Sequence, residues 1–308
     1  MNVLSLFDGM SCGQIALNRV GIKYDNYFAS EIDTHAMKVA TSNYPNTIQL
    51  GDVKNVNVDN LPTIDLMFGG SPCTDFSFAG RARGMVTTDK IEITDLETYL
   101  RLKEEGFEFV GQSYLFWEYV RILKEVKPKY FLLENVKMSE RWKKVISDTL
   151  GVEPIKIDSR LVSAQKRQRL YWTNIPNVEV PVDRGITVKD ILMDRNDPRF
   201  ELEIPTQKRI TYMEGRAKKG FLNKKLYITK DTEKSECIVA TVYKNMREFV
   251  YQDENGLRFL TDIELERLQT VPDNYTNYVS KTQRRKMLGN GWTVDSIAHI
   301  FSYLPKNI

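Results

Sequence analysis

Two apolar runs constrain the fold most. In TIDLMFGG (63–70), Ile64, Leu66, Met67 and Phe68 leave no polar face, and KYFLLENV (129–136) stays apolar almost to its end. Strands of this kind are covered on both sides, as in a parallel sheet flanked by helices. The neighbouring chain offers those helices. NVLSLFDGMSCGQIALNRVGI begins apolar, breaks at Asp8-Gly9 and resumes with helical spacing at Ile15, Leu17 and Val20. YDNYFASEID predicts a second strand, THAMKVATSNYP a helix stopped near Pro45, and TIQLGDV a short third strand. LFWEYVRILKEVKP carries Leu115, Tyr119, Ile122, Leu123 and Val126 on one helical face and ends before Pro128. RWKKVISDTLG predicts a helix stopped at Gly151, and LYWTNI a further strand. Such alternation means an α/β fold, a doubly wound and mostly parallel sheet.

Ligands of these sheets gather at the carboxyl ends of strands. The unusual polar clusters fall there: Phe7-Asp8-Gly9, Glu31, Asp52, Ser71-Pro72-Cys73 and Glu134-Asn135. After Pro176 the alternation stops. Residues 176–257 are irregular and contain a basic run, with a short strand expected in ECIVATVY (236–243). Helical spacing returns in TDIELERLQTV, where Thr261 is a plausible N-cap with Glu264 three residues on. KMLGNGWTVDSIAHIFSYL reads as a turn followed by an amphipathic helix. The expected division is 1–175, then a smaller unit over 176–280, then a return over 281–308.

Net charge is only +3, but its distribution is uneven. Residues 205–225 hold seven Lys/Arg against one Glu, and 160–169 hold four and no acid, whereas 89–108 is acidic, seven against three. Basic stretches in a near-neutral chain fit either a polyanion-binding face or a solvated lysine-rich surface. Cys12, Cys73 and Cys237 are three and far apart, so no disulfide framework or zinc knuckle is legible. His35 and His299 have no second ligand type nearby, so no metal is expected and both are assigned to structure. No apolar run approaches the ~20 residues of a membrane span. The start lacks a signal-peptide pattern, so a cytoplasmic location, in a bacterium or a phage-infected cell, is expected, with free thiols.

The first turn is not G-x-G-x-x-G and no lysine follows, which argues against a dinucleotide or P-loop site. Gly9 and Gly13 would let backbone approach a ligand. Glu31 suits the hydroxyls of a ribose. Cys73, in a loop between Pro72 and Asp75, is poorly placed for packing, and partial exposure near cations favours a thiolate. Glu134 closes an apolar strand, where a protonated carboxyl can donate to a ring nitrogen. A structural acid at a strand end is the alternative.

LFDGMSCG, GGSPC, LLENV, SAQKRQRLYWTN, LTDIELERLQTVPDNY and LGNGW occur in the order found in DNA (cytosine-5)-methyltransferases. The chain resembles that family over nearly its whole length, except parts of 80–112 and most of 177–256. LFDG and GNGW are similar to bacterial and phage members and to the de novo vertebrate-type branch. Ser5 stands where many members place an acid, and Ser11-Cys12 replaces a glycine pair. The resemblance implies a Rossmann-like S-adenosylmethionine-dependent methyltransferase fold with an irregular target-recognition domain. It implies Cys73 as nucleophile at cytosine C6, Glu134 at N3 and the exocyclic amine, and Arg167 and Arg169 at O2 or a neighbouring phosphate, with Gln165 orienting. For S-adenosylmethionine it implies Phe7, Asp8, Gly9, Ser11, Gly13, Glu31, Ile32, Asp52, Val53, Pro72, Leu115, Asn290 and Trp292. For double-stranded DNA it implies Phe76, Ser77, Arg81 and Arg83 after the nucleophile, and Lys208, Arg209, Lys218 and Lys219 in the basic stretch. A monomer with a possible restriction-endonuclease partner is expected. An RNA cytosine methyltransferase is one rival, and a non-catalytic DNA-binding protein, which would not need Cys73 and Glu134, is another.

Overall fold

The structure, a computed structural model, describes residues 1–73, 76, 85–218, 227–244 and 246–305, with the backbone alone for 216–218 and 247. Two compact units form. The first comprises 1–157, 168–180 and 298–308, the second 158–167 and 181–297. The return to the first unit thus comes at 298, where the sequence reading set it at 281, and a ten-residue excursion, 158–167, joins the second unit.

The first unit is built on seven strands: β1 (Asn2–Leu6), β2 (Asn26–Ser30), β3 (Ile48–Gln49), β4 (Leu66–Gly70), β5 (Tyr130–Val136), β6 (Ile155–Asp158) and β7 (Gln168–Thr173), in the order β3-β2-β1-β4-β5-β7-β6. The pairs β1–β2, β1–β4, β2–β3 and β4–β5 are parallel, and β5–β7 is antiparallel. Five helices accompany the sheet: α1 (Cys12–Arg19), α2 (Thr34–Asn43), α3 (Leu96–Glu104), α4 (Phe116–Val126) and α5 (Glu140–Leu150). Their boundaries follow the expected chemistry. Asp33 caps α2 by accepting from the His35 and Ala36 amides, and Gly151 ends α5 in the left-handed region. α4 buries Phe116, Trp117, Tyr119, Val120 and Ile122. Strand β4 is buried from Leu66 to Gly69, as its two-faced apolar run requires.

The second unit holds α6 (Val188–Ile191), α7 (Gln207–Lys218), the hairpin β8 (Val250–Asp253) with β9 (Gly256–Phe259), α8 (Asp262–Leu268) and α9 (Lys281–Asn290). α10 (Val294–Phe301) leads back to the first unit. The capping box at Thr261 and Glu264 forms as expected. The strand expected in ECIVATVY does not: that segment is extended and closes in a 3-10 turn, Val242–Lys244. Its apolar residues satisfy packing rather than a ladder, since Ile238 and Val242 are buried while Val239 is exposed. Among the described residues, no helix is long and apolar enough to cross a membrane.

Candidate active site

Parallel pairing of β4 with β5 sets Gly70 beside Glu134. The chain leaves β4 through Ser71-Pro72-Cys73, so the thiol follows three residues after the partner of Glu134. Two anchors hold this exit. Asn135 Nδ2 donates to the Ser71 carbonyl (3.2 Å) and to Ser71 Oγ (3.0 Å), while its Oδ1 accepts from the Val136 amide. Beyond the thiol, the Phe76 amide donates to the Cys73 carbonyl at 3.1 Å, and the Phe76 ring is buried 6.0 Å from that of Trp142. Cys73 itself stays partly exposed. Asn135 is the functional residue that motif reading passed over. Its signal was a buried amide next to the strand-end acid.

Glu134 faces β7. The register pairs Val136 with Arg169, one step along the same face, and Arg169 Nε lies 2.9 Å from Glu134 Oε1. Arg169 Nη1 also donates to the Gln168 carbonyl at 2.8 Å. Arg167 is placed differently from Arg169. It lies in the second unit with 4% of its surface exposed. Its guanidinium donates to Cys237 Sγ (3.2 Å) and to the carbonyls of Ile238 (2.8 Å), Gly289 (3.2 Å) and Gly291 (2.8 Å). Both terminal nitrogens of the guanidinium are thus engaged by acceptors within the second unit, which makes it a strut there. Gln165 is a second strut, fully buried between Leu268, Gln269 and the Ile238 amide.

At the other end of the sheet edge, Gly9 has φ +58 and open space where a side chain would be. Its amide donates to Glu31 Oε2 at 2.8 Å, and Glu31 Oε1 accepts from the Ile32 and Asp33 amides. Those three donors fix the carboxylate at the end of β2. Ile32, beside it, is 65% exposed. Asp52, after β3, caps the next turn through the Lys54 amide and pairs with Lys54 Nζ at 3.3 Å. Phe7, also left-handed at φ 57, and Leu115 pack partly buried on the core, whereas Val53 is fully within it.

Three cofactor expectations turn inward. A side chain at Gly13 would lie 2.3 Å from the Phe68 ring, so this glycine serves helix–strand packing. Ser11 is buried and accepts from Gln14 Nε2. Asp8 is buried, with Oδ1 accepting from Ser5 Oγ (2.6 Å) and Tyr27 OH (2.7 Å) and Oδ2 without a partner. Burial pushes its carboxyl up to about 6, against the hydrogen bonds from Ser5 and Tyr27.

Asn290, exposed, and Trp292, half-buried, belong to the second unit, where α9 ends. Of the basic residues, Lys208 is exposed on α7. Arg209 is tied down, donating to the Lys244 carbonyl at 3.1 Å with its guanidinium 5.4 Å from the Phe259 ring. Ser77, Arg81, Arg83, Lys219 and the side chain of Lys218 lie outside the described residues. Among the described residues, no three His, Cys, Asp or Glu side chains are grouped to hold a metal ion.

A strand-exit cysteine, an acid–arginine pair across the next strands and carboxylates along a parallel sheet edge define a class of group-transfer enzyme. The family model for C-5 cytosine-specific DNA methylase matches residues 1–150 and 159–306, and the chain belongs to that family. It is 32% identical over 222 residues to the orphan methyltransferase M.SPRI of Bacillus phage SPR, covering 66% of this chain and 45% of that protein. It is 28% identical over 267 residues to the putative type II methyltransferase M.BsuMIIP of Bacillus subtilis, covering 76% and 60%. The chain therefore matches about half the length of these curated relatives. Among solved structures, the Entamoeba histolytica methyltransferase EhMeth superposes with a TM-score of 0.69 at 16% identity, covering 99% of this chain and 97% of that one. Spodoptera frugiperda DNMT2 superposes with 0.64 at 19% identity, covering 98% and 99%. At such identities the likeness is one of fold.

Proposed function

We propose that the protein methylates C5 of cytosine in double-stranded DNA, using S-adenosylmethionine, through a covalent bond between Cys73 and cytosine C6. One observation carries this reading: Cys73, on a partly exposed loop anchored by Asn135, comes three residues after the β4 position that pairs with Glu134. Cytosine C5 is too weak a nucleophile to accept a methyl group unaided. Addition of the Cys73 thiolate to C6 makes C5 enamine-like. Negative charge then builds toward N3 and O2. Glu134 hydrogen-bonds N3 and the exocyclic amine, and Arg169 balances charge at O2. Groups of this sort contribute ~3–4 kcal/mol each in a preorganised site. Loss of the C5 proton re-forms the ring double bond and expels Cys73.

The donor set fits the cofactor. Open space at Gly9, a fixed carboxylate at Glu31 and the exposed Ile32 suit a ribose and adenine, with Asp52, Val53, Pro72 and Leu115 on the adenine side. Phe7, Asn290 and Trp292 are assigned to the same ligand. When bound, S-adenosylmethionine supplies an electrophilic methyl group. The base leaves the duplex to react, at a cost of roughly a few kcal/mol. Exposed cations such as Lys208 suit the phosphate backbone. Phage relatives named as orphan methyltransferases favour action without a paired endonuclease.

Bisulfite sequencing of plasmid DNA from expressing cells tests this directly, alongside methyl transfer to duplex DNA and to transfer RNA in vitro. Methylcytosine at a fixed sequence in DNA is expected. Transfer confined to RNA would replace the substrate, and transfer to neither would remove the activity.

A further inference from the structure

The acidic stretch 89–108 follows the candidate nucleophile in sequence, and its helix connects to the turn that Asp52 opens. Its helix α3 packs beside α4 and sends two side chains to a single buried carboxylate. Tyr99 OH donates to Glu118 Oε1 at 2.6 Å, and Lys103 Nζ reaches the same oxygen at 2.5 Å. Glu118 is fully buried, and its other oxygen accepts from Arg121 Nε at 2.8 Å. Arg121 Nη2 in turn points at the carbonyls of Val53 and Val56, 3.4 Å from each, while Nη1 is held by Glu125. Those two carbonyls bracket the turn that Asp52 opens and caps. Burial raises the Glu118 carboxyl, but the donors Lys103, Tyr99 and Arg121 together hold it below the usual glutamate value, so it stays an anion able to fix Arg121.

We infer that Glu118 and Arg121 are positioning residues for the adenosine end of the cofactor, and that α3 braces them. This rests on the assignment of the Asp52–Val53 turn to S-adenosylmethionine. The turn's own bonds are local: Asn55 to the Asp52 carbonyl, and Lys54 to the Asp52 side chain. Val53 and Val56 pack in the same buried core cluster as α4, and Arg121 adds the polar tie from α4 to their carbonyls. Loosening this tie weakens cofactor binding while leaving the thiol and the Glu134–Arg169 pair in place. The acidic stretch thus acts as a brace behind the cofactor site.

The experiment is calorimetric binding of S-adenosylmethionine, with steady-state kinetics on DNA, for Arg121→Gln, Arg121→Lys, Lys103→Ala and Asp52→Ala. Ile146→Val, in the α5 core, is a stability-matched control. We expect Arg121→Gln to raise Kd and KM for the cofactor roughly tenfold, or about 1.4 kcal/mol, with kcat at saturation within about twofold. Arg121→Lys should recover part of the loss, Lys103→Ala should weaken binding a few-fold, and the control should bind normally. A folded Arg121→Gln with unchanged Kd, or a fall in kcat at constant KM, overturns the inference. If Asp52→Ala also binds normally, the cofactor assignment itself fails with it. A weakened Asp52→Ala beside an unaffected Arg121→Gln removes only the brace.

Discussion

Glu134 Oε1 and Arg169 Nε stand 2.9 Å apart across the antiparallel strands β5 and β7, two residues diagonal in register. Both are mostly buried, so the pair is preorganised before any substrate arrives. Strands rather than loops hold it, which fixes the distance between the two groups that would meet the N3 and O2 edge of cytosine. We expect Glu134→Gln and Arg169→Lys each to lower kcat by roughly 10²–10³. The double variant should lose less than the product, because removing one partner already frees the other. Single-turnover methyl transfer for the four forms measures this. Fully independent losses would show that the pair does not act together.

Arg167 is expected to matter for folding rather than chemistry. Arg167→Ala removes the guanidinium donor from the buried carbonyls of Ile238 and Gly289, at ~1–3 kcal/mol each, while Gly291 keeps Gln269, so a loss of roughly 2 kcal/mol or more in urea unfolding should follow. Arg167→Lys reaches fewer acceptors and should fall between. A fully stable Arg167→Ala with no activity would restore the catalytic role.

Asp8 gives a pH signature. Its carboxyl is pushed up to about 6 in the fold, so between pH ~4 and ~6 the folded state binds more protons than the unfolded chain. Its contribution to stability therefore falls as pH rises through that window and stays low above it. Asp8→Asn keeps an Oδ1 acceptor and cannot ionise. We expect it to gain about 2 kcal/mol relative to wild type between pH 4.5 and 7.5. Thermal or urea unfolding at both pH values checks this, and a flat difference would contradict it.

The sheet was legible because its strands carry runs too apolar to face water, and the β4 and β5 runs point straight to the two strand ends of the site. β6 was not, since IKID is short and alternates polar with apolar. α3 and α7 went unread as helices because both lie in stretches read for their charge, although α3 carries Leu96, Tyr99, Leu100 and Leu102 at helical spacing. Cys73, Glu134 and Arg169 came from motif order. The inward turn of Ser11 and Gly13 and the strut role of Arg167 depend on which neighbour lies within 3 Å, and spacing carries no such information. SAQKRQR could not announce that Gln165 and Arg167 fold with one unit and Arg169 with the other.

The basic segment makes an electrostatic prediction. Lys208→Ala combined with Lys218→Ala and Lys219→Ala should weaken DNA binding across all sequences and flatten the salt dependence by up to about 3 in log–log slope. Arg209→Ala should instead cost stability, since its contacts are internal. Titrations between 50 and 200 mM salt, roughly the range in which such contacts dominate, separate the two. An unchanged slope would place the DNA face elsewhere.

Covalent attack by Cys73 is best tested on duplex DNA carrying 5-fluorocytosine at the methylated position. Fluorine cannot leave as a proton does, so the enzyme should stay bonded to the DNA after methyl transfer. Wild-type protein should give a denaturant-stable adduct whose cross-linked peptide contains Cys73, and Cys73→Ser should give none while still binding S-adenosylmethionine. An active wild-type enzyme that forms no adduct, or a Cys73→Ser variant that turns over normally, would contradict the nucleophile assignment.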